Sequence, residues 1–179
     1  MKKKKKIISI ILLVVFVVVG IIDPNLYRSI IRMNHFRVDN ESVSSSLIFG
    51  LHGYEMIISG EGEMSKQLHI EWIEKLTIFD GMWRIAIMRA TVEEGVTSIP
   101  TFSLSSWTSL NTVSLPSTLK KIGVATFASD AKLNSINYNG TLEQWQEVVD
   151  NSPSWSNMSR IRTVVCTDGI YYLDYDANN

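Results

Sequence analysis

A spacing of 23 residues relates three stretches in the second half of this 179-residue chain. Val92, Leu115 and Tyr138 follow one another at that interval, and each closes a short alternation of apolar and polar residues. Alternation of this kind turns one side of a β-strand toward a core and the other toward water. One unit of this size cannot bury its own apolar side, whereas stacked copies can. The spacing therefore predicts a solenoid.

Each unit is expected to contain a short strand, a turn, a second short strand and an irregular or single-turn helical return. The second strand is expected at Val96–Ile99 in one unit and near Leu119–Ile122 in the next. The predicted fold class is an α/β solenoid, mainly β, with about three layers. The repeats are placed at about residues 88–110, 111–133 and, in part, 134–140.

Segments on either side of the repeats are expected to act as caps, because the end layers of a solenoid would otherwise expose apolar side chains. A β-hairpin around His52-Gly53 and a short helix within residues 67–76 form the predicted N-terminal cap. Thr141 and Gln144 have the spacing of a capping box and predict a helix. A final hairpin, turning at Asp168-Gly169, completes the predicted C-terminal cap.

The chain opens with five lysines and an apolar run from Ile7 to Ile22, which together are typical of an export signal. As a helix this run spans about 24 Å, so its length leaves a signal peptide and a membrane anchor both open. No small-residue cleavage pattern follows the apolar run, because the next residues are Asp23-Pro24-Asn25-Leu26, and this favours an uncleaved anchor. The lysines should stay in the cytoplasm, leaving a membrane-anchored protein with an extracytoplasmic C-terminal domain. Secretion after cleavage is the alternative.

Three segments follow from these patterns: a signal or anchor at residues 1–22, a juxtamembrane spacer at 23–46, and the capped repeat domain at 47–179. The formal net charge is −1, and five of the seventeen cationic residues lie in the first segment. The remainder is acidic, which argues against nucleic-acid binding. Cys166 is the single cysteine, so an intrachain disulfide is excluded. It is predicted to be a buried small hydrophobe, with a reactive thiol or an intermolecular bridge as alternatives.

The sequence offers no arrangement typical of catalysis or metal binding. His35, His52 and His69 do not occur in a metal-ligand spacing. Glu93-Glu94 is expected in an exposed, solvated turn, and Gly60-Glu61-Gly62 lacks the lysine of a phosphate-binding loop. We therefore expect no enzymatic activity, no metal and no cofactor.

The strand alternation also predicts which side chains point away from the core. They are mostly hydroxyls and amides, without the acid–base pair of a hydrolytic site. This side is a candidate binding face, and it is equally typical of a plain solvated surface. Of the five tryptophans, Trp72, Trp107 and Trp145 are assigned to the core or caps, whereas Trp83 and Trp155 are not placed. The candidate binding residues are Arg89, Thr91, Thr112, Ser114, Ser135 and Asn137.

Residues 93–145 closely resemble the BspA-type leucine-rich repeats of bacterial surface proteins. The matching motifs are "GVTSI" at Gly95–Ile99, "LPSTLKKIGVATF" at Leu115–Phe127 and "INYNGTLEQW" at Ile136–Trp145. "VVCTDGIYY" at Val164–Tyr172 looks like the usual ending of the family, and "MIISGEGEM" at Met56–Met64 is similar to the segment that often precedes the repeats.

The first repeat departs from the family pattern around its return turn. Pro100 takes the place that Gly123 occupies in the next repeat, and Ser103-Leu104 replaces the usual Ala-Phe pair. Trp107 and Asp130 occupy a position where cysteine is common. The departures bear on how tightly the first return turn closes.

The resemblance implies a location at the cell surface and adhesion to a protein partner or, as an alternative, to a glycan. Fold alone does not fix function. The function expected is therefore a binding or adhesion module tethered through residues 7–22, or secreted. A membrane-anchored structural or regulatory subunit of an envelope complex is the alternative.

Overall fold

The computed structural model describes residues 42–50, 53–66 and 87–173, all within the compact unit Phe36–Asn179. The predicted anchor, most of the spacer, the histidines and the helix expected within residues 67–76 lie outside the described residues. Within these three ranges no helix is long and apolar enough to span a bilayer.

The described residues form ten strands and one helix, so the structure is mainly β. The strands are β1 (Val43–Gly50), β2 (Gly53–Gly60), β3 (Gly62–Glu63), β4 (Ile87–Val92), β5 (Val96–Ile99), β6 (Thr112–Leu115), β7 (Lys121–Ile122), β8 (Ser135–Tyr138), β9 (Thr163–Val165) and β10 (Ile170–Tyr172). The helix is α1 (Leu142–Asp150).

Two sheets run along the stack. The larger has seven strands in the order β1-β2-β4-β6-β8-β9-β10, and the smaller has three in the order β3-β5-β7. Neighbours from β2 to β9 in the larger sheet pair in parallel, as do all neighbours in the smaller one. The hairpins β1/β2 and β9/β10 are antiparallel. Each repeat therefore contributes one strand to each sheet until β8, which has no described partner strand in the smaller sheet.

The 23-residue spacing is the register of the larger sheet. Leu115 pairs with Tyr138, and Ala90 pairs with Val113. Val92 pairs with Ile58 of the preceding strand, and the register of Thr91 with Ser114 sets it beside Leu115. Side chains at equivalent positions thus lie about 4.8 Å apart along the stack. The predicted adjacency of the repeats is confirmed.

These inward side chains form one continuous core. Val92, Leu115 and Tyr138 are at most 2% exposed. The return turns add Leu104 and Phe127, both fully buried. Because each coil covers the apolar side of its neighbour, the core is a column that extends along the stack rather than a single central cluster.

The stack is longer than the three layers expected from the repeats. β2 pairs in parallel with β4, and β9 pairs in parallel with β8, although neither β2 nor β9 belongs to a 23-residue repeat. β1 begins at Val43, four residues before the domain boundary expected at residue 47. Backbone hydrogen bonds do not need the repeat motif, so strands of different sequence extend the sheet.

The return turns use left-handed backbone conformations at matching positions. Phe102 and Ser106 in the first turn have φ of 56° and 63°, and Ala125 and Ser129 in the second have 50° and 63°. Backbone bonds join the turns, for example from the Phe102 N–H to the Val124 carbonyl at 3.2 Å. Left-handed backbone costs roughly 1–2 kcal/mol per non-glycine residue. The buried column and these bonds must offset that cost.

Gly123 is required by the close approach of the two turns. A Cβ at this position would lie 2.1 Å from the Thr101 backbone nitrogen, far inside contact distance. The carbonyl of Pro100, at the equivalent position of the first repeat, accepts hydrogen bonds from the Thr126 hydroxyl at 3.1 Å and the Ser103 hydroxyl at 2.8 Å. The proline therefore does not open the first return turn.

Helix α1 begins with the predicted capping box. The Thr141 hydroxyl accepts from the Gln144 N–H at 3.3 Å, and the Gln144 side chain accepts from the Thr141 N–H at 2.9 Å. Its buried side chains are Trp145 and Val148. Beyond the helix, the Ser152 hydroxyl accepts from the Ile122 N–H at 2.8 Å. A side chain thus satisfies a backbone donor of β7 where a further strand would otherwise stand.

Candidate binding face

The side of the larger sheet that points away from the apolar column is called the outward face. The candidate residues form two rows on it, across β4, β6 and β8. Arg89 is in register with Thr112, and Thr91 is in register with Ser114. Ser114 is in turn in register with Asn137, and Ser135 continues the row of Arg89 and Thr112. The structure therefore brings all six predicted residues onto one face.

Hydrogen bonds hold several of these side chains in place. The Thr91 hydroxyl donates to Glu55 Oε1 at 2.9 Å, and the Thr163 hydroxyl donates to the Ser135 hydroxyl at 2.9 Å. The Thr112 hydroxyl donates to the Asn111 side-chain oxygen at 2.8 Å. A hydroxyl that donates once still has lone pairs to accept with. The centre of the face thus offers hydrogen-bonding groups in nearly fixed positions.

The C-terminal hairpin extends both rows with side chains that the sequence reasoning did not select. Val165 is in register with Asn137 and with Ile170, and Thr163 is in register with Tyr172. Val165, Ile170 and Tyr172 are among the most exposed large apolar side chains of the described residues. The same two-residue alternation in β9 and β10 could have identified them, because it places them on the outward side.

The face does not remain open at its other end. Ile57 is in register with Thr91 and has outward parity, yet it is only 3% exposed. The accessible part of the outward face therefore runs from β4 to β10, and the half-buried Glu55 on β2 borders it beside Arg89.

Glu94 lies exposed in a turn, as expected, but its carboxylate is bonded to the next coil as well as being solvated. Its side chain is exposed, but its two oxygens accept from the Ser117 N–H at 2.9 Å, the Ser117 hydroxyl at 3.0 Å and the Thr118 N–H at 3.2 Å. Partial burial would raise the pKa of Glu94, but these bonds outweigh it and lower the pKa. The residue links two coils, so its role is structural.

Asp130 is a carboxyl group almost completely removed from water. Its Oδ1 accepts from the Trp107 N–H at 2.8 Å. Its Oδ2 is buried and has no hydrogen-bond partner in the structure. Burial raises the pKa of Asp130 to about 8, and the single bond from Trp107 opposes this only in part. Asp130 is therefore a neutral, structural acid at neutral pH.

Cys166 is buried, as predicted, at 8% exposure. Burial, with a further contribution from Asp168, raises the pKa of its thiol. A raised pKa disfavours the thiolate that reacts with other thiols or binds metals. Within the described ranges no group of three His, Cys, Asp or Glu side chains is placed to hold a metal ion.

The described tryptophans belong to the core. Trp107 and Trp145 are at most 1% exposed, in agreement with their predicted placement. Trp155, which the sequence left unplaced, is 4% exposed and packs edge-on against Trp145 with ring centroids 5.4 Å apart. Trp72 and Trp83 lie outside the described residues. Aromatic rings that are buried in this way cannot anchor a ligand.

A groove of about 300 Å³ lies between α1 and the turn at residues 117–120. Lys120 and Glu147 contribute opposite charges to its wall, and Tyr138 and Asn151 line it as well. No residue of the outward face lines this groove.

The repeat motifs and the stacked coils agree with a match between the sequence and a model of a protein family. The family model described as "BspA type Leucine rich repeat region (6 copies)" matches residues 76–177, which is more than half of the chain. The chain belongs to the BspA-type leucine-rich repeat family. Members of this family generally serve as protein-interaction modules rather than as enzymes.

A solved structure is also similar: the crystal structure of a leucine-rich repeat protein from Eubacterium ventriosum ATCC 27560. The two sequences are 29% identical, and the match covers 52% of this chain with a TM-score of 0.40. This chain spans 23% of the length of that protein. The search of curated proteins gave no significant match.

Proposed function

We propose that this chain is a non-catalytic binding module held at the outer side of the cell membrane, which engages a protein partner through the outward face. The observation that carries the proposal is the two-row array on this face. Six side chains from three repeats align there, with Arg89 and Asn137 exposed and the hydroxyls half-buried. Side chains that are already held in place cost less conformational entropy when a partner binds, which favours such an array as a contact surface.

The tether is supported by the sequence. Five lysines precede the apolar run from Ile7 to Ile22, and the positive-inside tendency then directs the repeat domain outward. The hairpin β1/β2 at one end and α1 with the hairpin β9/β10 at the other suit the role of caps, because all three flank the repeats. Treatment of intact cells with protease, together with the mass of the native N-terminus, tests both the orientation and the retention of residues 1–22.

The binding role is tested with the full-length chain on cells that display it. Ser114 lies at the centre of the outward face, so the variant Ser114→Arg places a long charged side chain there. Thr108→Arg is the matched control, because Thr108 is exposed and lies in the return segment between β5 and β6, outside the outward face. Binding to neighbouring cells, host matrix proteins or envelope extracts should be lost with Ser114→Arg and kept with Thr108→Arg. Inertness toward all three, or equal effects of the two variants, contradicts the proposal.

A further inference from the structure

The outward face changes its chemistry from one end of the accessible region to the other. Arg89 on β4 supplies an exposed cation, and the middle strands supply hydroxyl and amide groups. On the C-terminal hairpin, Val165 is 39% exposed, Ile170 is 46% exposed and Tyr172 is 67% exposed. The face is therefore charged at one end, polar in the centre and apolar at the other end.

The apolar end is continuous with the polar rows. Val165 is in register with Asn137. Thr163 is in register with Ser135 on one side and with Tyr172 on the other. Side chains in register on neighbouring strands are about 5 Å apart, close enough for one ligand to touch both. The three apolar side chains thus belong to the same surface as the residues proposed to bind.

The dimensions of the accessible face suit a narrow ligand. Five strands, β4, β6, β8, β9 and β10, cover about 19 Å at ~4.8 Å per gap. The short strands β6, β8, β9 and β10 each present two outward residues, so the surface is two rows wide and much smaller than the ~800 Å² that a globular partner usually covers. An extended chain advances about 3.3 Å per residue and crosses the face in about six residues.

The positive charge of Arg89 determines which groups of a ligand are favoured at the β4 end of the outward face. Glu55 is in register with Arg89, and its Oε1 accepts a hydrogen bond from the Thr91 hydroxyl. Arg89 is exposed, whereas Glu55 is half-buried. Arginine recognises carboxylates with paired hydrogen bonds, so an acidic group of a ligand is favoured there over a basic one.

We infer that the outward face takes an extended segment of a partner protein, about six residues long, with apolar side chains on Val165, Ile170 and Tyr172 and a carboxylate at Arg89. The inference rests on the proposed function and adds the chemistry of the partner. Tyrosine is among the residues that most often contribute a large share of the binding energy in such contacts, and Val165 and Ile170 add apolar area around Tyr172. The C-terminal hairpin is therefore the anchoring end of the face.

The test uses the full-length chain in nanodiscs and two labelled hexapeptides with blocked termini. The peptides are Asp-Thr-Asn-Thr-Leu-Phe and its reversed sequence, so that both chain directions are sampled. Two controls replace the Asp by Lys or the Leu-Phe pair by Ser-Ser. We expect at least one Asp-containing peptide to bind, and both controls to bind about tenfold more weakly.

The protein variants locate the contact. Tyr172→Ser and Ile170→Thr should each weaken binding of the peptide about tenfold, and Arg89→Gln should remove the preference for Asp over Lys. Met158→Ser is the matched control, because Met158 is 74% exposed and lies beside the second return turn, where its carbonyl accepts a hydrogen bond from the Ser129 N–H. It should leave binding unchanged. Thermal melts of all four variants identify any that are unfolded, and the Lys-for-Asp peptide provides a readout that needs no variant.

The inference is overturned if neither peptide binds, if the Ser-Ser control binds equally well, or if Met158→Ser weakens binding as much as Tyr172→Ser. Its failure differs from failure of the proposed function. When captured whole proteins remain sensitive to Ser114→Arg while the hexapeptides do not bind, only the peptide chemistry is wrong. When Ser114→Arg has no effect on any partner, the proposed function itself is wrong.

Discussion

Two carboxyl groups join the same two coils at different corners of the solenoid, and their surroundings give them opposite properties. Glu94 reaches from the first coil to the turn of the second, where three donors surround its two oxygens. Asp130 reaches from the second coil to the first, where one donor meets one oxygen. The pKa of Glu94 is lowered, whereas the pKa of Asp130 is raised to about 8.

The difference shows that the number of donors, set against the loss of water, decides the charge state of a carboxyl group. Glu94 keeps its charge because it is exposed and well bonded. Asp130 is 1% exposed, and the bond from Trp107 does not replace the water it has lost. Both groups connect coils, but only one of them does so as an anion at neutral pH.

The largest effect is expected from the protonation of Asp130. Its pKa is higher in the folded chain than in the unfolded one, so the folded state binds the extra proton. Stability from this group is fully present below about pH 4 and falls by roughly 1.4 kcal/mol per pH unit, to a total of about 6 kcal/mol, until about pH 8. Asp130→Asn keeps an oxygen for the Trp107 N–H and should remove this dependence. Urea melts of both proteins from pH 4 to pH 9 measure the difference.

Carboxylates that are bonded in the folded state give the opposite pH dependence, and the comparison with Asp130→Asn subtracts their contribution. The raised pKa of Asp130 is disproved if the free energy of unfolding of the variant and of the parent protein follow parallel curves across this range.

The next largest loss of stability is expected from substitutions in the apolar column between the same two coils. Leu119 and Ile122 are 3% and 1% exposed, so Leu119→Ala or Ile122→Ala should cost ~2–5 kcal/mol through lost burial and a residual cavity. Ile99, the equivalent of Ile122 in the first repeat, is 1% exposed, and Ile99→Ala serves as the matched variant. Denaturant melts give the values. A loss below about 0.5 kcal/mol would place these side chains on the surface.

The contact at Gly123 is expected to have a smaller effect on stability than the apolar column and a larger one than Glu94. Gly123→Ala places a Cβ 2.1 Å from the Thr101 nitrogen, and the backbone must move to accommodate it. The expected cost is about 1–3 kcal/mol. Pro100→Ala, at the equivalent position of the first repeat, keeps the Pro100 carbonyl and should change stability by less than about 1 kcal/mol. Equal effects in thermal melts would mean that the two return turns do not differ in closeness.

The smallest effect is expected at Glu94, because its side chain is exposed. Glu94→Gln loses the charge and one acceptor site, and should cost less than about 1 kcal/mol. The lowered pKa means that the contribution of Glu94 is present above its unfolded pKa and disappears as the pH falls through its folded pKa. We therefore expect urea melts of Glu94→Gln and of the parent protein to differ at pH 7 and to agree at pH 3. A larger difference at pH 3 would reverse the sign and refute the assignment.

Much of the fold could be predicted from the repeat. The positions of Val92, Leu115 and Tyr138 predicted the register of the larger sheet, and Thr141 with Gln144 predicted the start of α1. The outward parity of the six candidate residues was predicted in the same way, since a strand alternates regardless of its neighbours. Whether these residues bind a partner stays a prediction.

The sequence did not predict what depends on contacts between distant residues. The Asp168-Gly169 turn predicts the hairpin, but neither this turn nor the 23-residue repeat indicates that β9 stacks on β8 and so joins Val165, Ile170 and Tyr172 to the outward face. Likewise, Glu94 belongs to an ordinary polar turn in the sequence, and only the neighbouring coil supplies Ser117 and Thr118 as donors.

By itself the sequence determined that this chain stacks, because a 23-residue period of apolar side chains has no other way to leave water. Only the tertiary structure decided how long the stack is, where its apolar surface remains open and which of two carboxyl groups carries a charge. These properties depend on how much water each neighbour excludes, and that is fixed only when the coils are in contact.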